Sequence, residues 1–160
     1  LAVEHYIELY AKLYQIDYLI LRLSNPFGSF HRSPKQGVIN IAVRKALKGE
    51  VMTVWGDGSQ AKDYIYAADI GKAIDGLIQA GVKNEIINVG SGVSLTLQTI
   101  IDRIKAKIPG FQVEYKDAKL TDVQKICLDT SKLAAKIAWQ VTSFEEALDA
   151  TIAYEKARLS

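Results

Sequence analysis

The chain has 160 residues, 49% apolar and 24% charged, with a formal net charge of +2. That is the balance of one globular domain with a core; it excludes disordered and fibrous classes, and so small a charge without a basic run excludes nucleic acid and anionic membranes as expected partners. No apolar stretch approaches the roughly 20 residues that cross a bilayer, and a lone cysteine, Cys127, points to a reducing compartment, the cytoplasm.

From Val3 to Tyr14 apolar residues recur every three or four positions, which predicts a helix with one broad apolar face. Tyr18 to Leu23 is apolar without alternation, as in a parallel strand covered on both faces, and Asn25-Pro26 is expected to end it. Val38, Ile41, Ala42 and Ala46 form the inward stripe of a helix that stops at Gly49. Met52 to Trp55 and Asp63 to Tyr66 flank Gly56-Asp57-Gly58 and read as a looped hairpin, with a helix after it over 67–80.

Ile86 to Val89 reads as another buried strand. Ser94 is then expected to start a helix carrying Leu95, Leu97, Ile100, Ile101 and Ile104, which Pro109-Gly110 terminates. A strand at 111–115, a polar loop at 116–124 and a short helix at 130–136 follow. The last helix starts at Ser143, with Glu145 and Glu146 in the first turn, where the helix dipole favours carboxylates. The alternation of strands and helices predicts an α/β fold, and the absence of repeats, low-complexity tracts and linkers predicts one unit, 1–160.

Some residues invite chemistry on their own. Arg22 in an apolar strand must either pair with a carboxylate or reach the strand end and meet a ligand. Asn25-Pro26 is a ligand position or a plain turn. Asp63 and Asp69 suggest paired carboxylates, but their spacing favours Asp69 as a helix cap. His5, His31 and Cys127 lack ligand spacing, so no metal is expected. Gly90-Ser91-Gly92 is half a dinucleotide fingerprint and reads as a tight turn.

The segments RLSNPFG (Arg22 to Gly28) and VWGDGSQAKDYIYAADI (Val54 to Ile70), followed in order by NVGSG (Asn88 to Gly92), together resemble the extended short-chain dehydrogenase/reductases, the family of NAD-dependent nucleotide-sugar epimerases and dehydratases. The resemblance runs to the final helix and is greatest to UDP-glucose 4-epimerases. It implies the C-terminal part of an NAD(P)-binding Rossmann-like epimerase fold: the last parallel strands plus the substrate-binding subdomain. The glycine-rich NAD turn and the catalytic Tyr-x-x-x-Lys pair of the family are not in these residues. Leu1 to Tyr6 look like the continuation of the helix that carries that pair, so the catalytic residues are expected upstream of Leu1, and these 160 residues alone are expected to be inactive.

What the resemblance implies is a site that positions a UDP-sugar while NAD, in the whole protein, takes a hydride from sugar C4 and returns it to the other face. Asn25 would hydrogen-bond the sugar diphosphate, and Pro26 and Phe27 would shape the nicotinamide side. Thr53 and Trp55 would meet the base, with Val38 beside them. Lys62 stands where the family has a diphosphate-gripping arginine, and Ala118-Lys119-Leu120-Thr121-Asp122 replaces Ala-Arg-x-Gly-Asp, so Lys119 would be the second such lysine and Asp122 would accept from a sugar hydroxyl. Lysine keeps the charge and loses the planar fork. Tyr6, Tyr10, Leu13 and Tyr14 match the region that relatives use to form homodimers. A 4,6-dehydratase and a non-catalytic nucleotide-sugar binding module are the alternatives.

Overall fold

The computed structural model describes residues 1–117 and 124–159; Lys119, Leu120 and Asp122 lie outside them. The described helices are α1 (Ala2–Tyr14), α2 (Val38–Lys48), α3 (Ala67–Gln79), α4 (Leu97–Lys107), α5 (Ser131–Ala134) and α6 (Phe144–Leu159). The strands are β1 (Leu19–Leu23), β2 (Asn25–Phe27), β3 (Met52–Trp55), β4 (Ala61–Tyr66), β5 (Glu85–Val89), β6 (Ser94–Thr96) and β7 (Val113–Lys116).

The strands form three small groups. β1 runs parallel to β5, with Leu19 opposite Glu85 and Leu23 opposite Val89. β4 is the centre of a second group, parallel to β2 on one side and antiparallel to β6 on the other. β3 and β7 form a third, parallel pair. Parallel neighbours far apart in sequence are the mark of an α/β fold, and the Rossmann-like class is the one observed.

Several expectations change. β1 is not covered on both faces: only Ile20 is buried, while Leu23 is exposed. Asn25-Pro26 does not merely end it, because Asn25–Phe27 itself forms β2, and proline fits there because β2 is an edge strand that needs no donor on its outer side. The looped hairpin is absent: β3 takes β7 as partner, and β4 takes β2 and β6. Ser94 begins a strand, and the cap of α4 is Thr96, whose hydroxyl accepts from Thr99 N–H at 3.0 Å.

Helix ends follow local chemistry. Gly49 closes α2 in the left-handed region at φ 68°, donating its N–H to the last turn. Ser143 and Glu146 form a reciprocal capping box at the start of α6, with Ser143 Oγ accepting from Glu146 N–H and Glu146 Oε2 accepting from Ser143 N–H. On α2 the buried residues are Ile39, Asn40, Ala42, Val43 and Ala46, so Ile39 and Val43 replace Val38 and Ile41 as the core-facing pair.

Two apolar clusters result. The larger joins α2, α4 and α6 around Ile39, Val43, Ile100, Ile104 and Leu148; the smaller joins α3 to β5 around Ile65, Leu77, Ile87 and Leu133. No residue of α1 is buried, and Tyr6, Tyr10, Leu13 and Tyr14 are all exposed. Among the described residues no helix is long and apolar enough to cross a membrane.

Candidate functional site

A cleft of about 550 Å³ opens between β2, the start of α2, β3 and β4. Its walls hold seven of the residues singled out in the sequence: Asn25, Pro26 and Phe27 from β2, Val38 from α2, Thr53 and Trp55 from β3, and Lys62 from β4. The lining comes from strands of two separate sheets, β2 and β4 of one and β3 of the other, together with the start of α2.

Among the described residues the cleft has one sign of charge: Lys35, Lys45 and Lys62 line it, and no carboxylate does. Lys62 is half-buried, and Lys45 donates to the Val51 carbonyl at 2.8 Å. Low-dielectric walls bearing only cations concentrate a potential that favours an anion. Lys35 and Lys45 were not evident in the sequence, since nothing local separates them from solvated surface lysines.

The other groups are placed as follows. The Asn25 carboxamide donates to the Asp63 carbonyl at 2.8 Å, which ties β2 to β4 beyond the backbone ladder. The Thr53 hydroxyl donates to Glu114, and that bond, with Lys116 beside it, holds the Glu114 carboxyl below the usual carboxylate range. Trp55, which could equally have been a core residue at a strand end, lines the cleft and is 45% exposed.

Tyr64 forms part of the floor, and burial pushes its phenol up to about 12. The folded state therefore keeps a proton that the unfolded chain, with a value near 10, releases first. Stability is full below pH 10 and is lost as pH rises from 10 towards 12, by up to ~3 kcal/mol at ~1.4 kcal/mol per unit. Urea unfolding at pH 9.5 and 11.5 checks this: the loss in the wild type should exceed that in Tyr64→Phe by about 2 kcal/mol.

The ambiguous polar residues resolve into structural roles. Arg22 pairs with α1: its guanidinium makes a two-pronged contact to Glu4 at 2.8 and 2.7 Å, and Arg22 in turn keeps the Glu4 carboxyl low. Asp69 is not a cap. It lies in the first turn of α3, wholly buried, accepting from Lys72 and from the Thr142 N–H and hydroxyl, each at 2.8 Å.

Asp63 is also wholly buried. One oxygen accepts from Ser91 N–H at 2.9 Å and Ser91 Oγ at 2.7 Å, the other from Gly92 N–H at 3.1 Å and Leu128 N–H at 3.3 Å. Successive N–H groups of the Gly90–Gly92 turn thus form an anion nest, already filled by a side chain of the same chain. Gly90 is required, because a Cβ there would sit 2.7 Å from Asp63 Oδ2. The Ser91 and Gly92 N–H groups are thereby committed to Asp63. Among the described residues no group of three or more His, Cys, Asp or Glu could hold a metal ion.

A second buried network lies behind the cleft. Asn40 accepts from Gly28 N–H and donates to Gly28 C=O, Arg44 donates to the His31 and Ser33 carbonyls at 2.9 and 2.6 Å, and Glu155 of α6 accepts from Arg44 at 3.0 Å. Sequence reading missed it, although Leu148, Ile152 and Glu155 share one face of α6 and a carboxylate on that stripe is a signal of a buried partner.

Residues 1–90 match the family model described as the NAD dependent epimerase/dehydratase family, and the chain belongs to that family. It is 40% identical over 141 residues to a Methanocaldococcus jannaschii protein provisionally named UDP-glucose 4-epimerase, covering 86% of this chain and 45% of that one. It is 27% identical to the dTDP-glucose 4,6-dehydratase of Xanthomonas campestris over 94% of this chain and 46% of the relative. The UDP-glucose 4-epimerase of Thermotoga maritima, solved with UDP-glucose, superposes on 99% of the chain with a TM-score of 0.87 and 30% identity. The chain spans about half the length of the relatives it matches.

Proposed function

We propose that residues 1–160 are the substrate-binding portion of an NAD-dependent nucleotide-sugar 4-epimerase, acting on UDP-glucose and UDP-galactose. The observation that carries this is the cleft: three ammonium groups beside an exposed indole, with no carboxylate among the described lining residues, in a chain 40% identical to a protein provisionally named for that activity. The lysines neutralise a diphosphate as point charges, Trp55 and the Thr53 backbone meet the base, and Asn25 sits where the diphosphate approaches β2. Such a site works by positioning.

NAD fits these residues only in part. Pro26 and Phe27 offer an apolar edge suited to a nicotinamide ring, while the Ser91 and Gly92 N–H groups are committed to Asp63 and do not serve a pyrophosphate. Bound NAD supplies the hydride acceptor and donor. Lys119 and Asp122 complete the polar contacts in this reading, the exposed α1 stripe joins two copies, and the protein is cytoplasmic. A 4,6-dehydratase is the second reading, favoured by the likeness to the Xanthomonas enzyme.

The test uses the full gene product. UDP is titrated calorimetrically, and UDP-glucose is incubated with the enzyme while UDP-galactose and any 4-keto-6-deoxy product are quantified. UDP-galactose formation is the expected result; the 4-keto-6-deoxy product would establish the dehydratase. Normal NAD loading with no conversion of any UDP-hexose would sink the epimerase assignment.

A further inference from the structure

One wall of the cleft is the segment 28–37, which delivers Lys35 and ends on Gly37, both lining residues. Its path is not one a free chain prefers. Phe30 is a non-glycine residue at φ 67°, flanked by Gly28 and Gly37 at φ 124° and 77°, and the His31 ring packs where a Gly37 Cβ would be. Such backbone persists only where its surroundings over-determine it.

The constraints here come from α2 and α6. Asn40 holds both backbone groups of Gly28, and Arg44 spans two carbonyls further along. Glu155, wholly buried, accepts from both Asn40 and Arg44, and its neighbour Tyr154 packs on Phe30 with ring centroids 5.2 Å apart. No residue of α6 lines the cleft.

We propose that Glu155 is a positioning residue: through Arg44 and Asn40 it sets the place of the 28–37 wall, and with it the affinity of the cleft for a nucleoside diphosphate, a ligand that rests on the reading above. The chemistry is specific to a carboxylate and a fork. Without the Glu155 charge, Arg44 is left half-buried with no counter-charge and turns to solvent, releasing both carbonyls. A lysine at 44 keeps the charge for Glu155 and lacks the planar fork that reaches three oxygens at once.

The experiment compares the full-length wild type with Glu155→Gln, Arg44→Lys and Thr151→Ala. Thr151 is buried on the same helix and bonded only within it, to the Ala147 carbonyl, so its loss destabilises α6 without touching the wall. Amide hydrogen exchange is read over 28–37 and UDP affinity by calorimetry, each with and without Lys35→Ala. Exchange in the wall should rise about tenfold and UDP binding weaken about tenfold in Glu155→Gln and Arg44→Lys, and neither should change in Thr151→Ala. Lys35→Ala should weaken binding in the wild type and add little to Glu155→Gln. Unchanged wall protection in Arg44→Lys, or an equal rise in Thr151→Ala, overturns the proposal; Arg44→Lys decides if Glu155→Gln does not fold. A wild type that binds no UDP ends the nucleotide reading, and the exchange result still decides the positioning role.

Discussion

Replacing Asp63 by alanine is expected to destabilise the fold by about 4 kcal/mol, lowering the melting temperature by roughly 10 °C, the largest stability effect of any single substitution considered for this protein. The carboxylate accepts four hydrogen bonds from Ser91, Gly92 and Leu128 in a site without solvent. Removing it takes the acceptor from three part-buried N–H donors and one hydroxyl, at about 1 kcal/mol each.

Asp63→Asn separates charge from shape. One amide oxygen keeps two of the bonds while the amide N–H₂ faces donors, so a loss of about 3 kcal/mol is expected. Thermal and urea unfolding of both variants provide the check. A loss within 1 kcal/mol of zero for Asp63→Ala would mean that water or a rearranged 90–92 turn satisfies those donors.

The second large effect concerns binding. Lys62→Glu should weaken UDP binding about 100-fold, which is ~2.7 kcal/mol. The substitution replaces one of three lining cations by an anion in a half-buried position, and two unit charges ~4 Å apart at a protein surface interact by about 1–4 kcal/mol. Lys62→Arg should preserve or tighten binding several-fold, because a planar fork matches phosphate oxygens better than an ammonium does. Calorimetric titration of UDP into the three proteins reads both effects. Equal affinity in Lys62→Glu and the wild type would place the anion elsewhere.

These two predictions sit on adjacent residues with opposite duties. Lys62 faces the cleft and Asp63 the interior, as the alternation of a strand requires. The same alternation explains why β4 can serve as wall and as clamp at once. Its backbone carbonyl at Asp63 receives Asn25, and its side chain there holds the 90–92 turn.

Local rules were enough to read most elements from the residues. The periodicity of α1, the Gly49 stop of α2 and the start of the last helix at Ser143 with carboxylates in its first turn are encoded within one or two turns of chain, and all three appear as read. The cleft residues were legible for a different reason: Asn25, Lys62 and their neighbours sit in motifs whose order resembles a known family, and seven of the nine named residues meet in one cavity.

Partner choice was beyond such rules. Met52–Trp55 and Asp63–Tyr66 look like a hairpin locally, yet β3 pairs with β7 and β4 with β2 and β6, since strand pairing depends on packing against distant neighbours more than on local propensity. Buried polar contacts were equally hidden. Asp63 finds its donors 28 and 65 residues away, and Asn40 meets Glu155 across 115 residues. A charged side chain in a sequence looks like surface until folding removes its water, and whether it then acts as a ligand, a clamp or a brace depends on which distant groups arrive beside it.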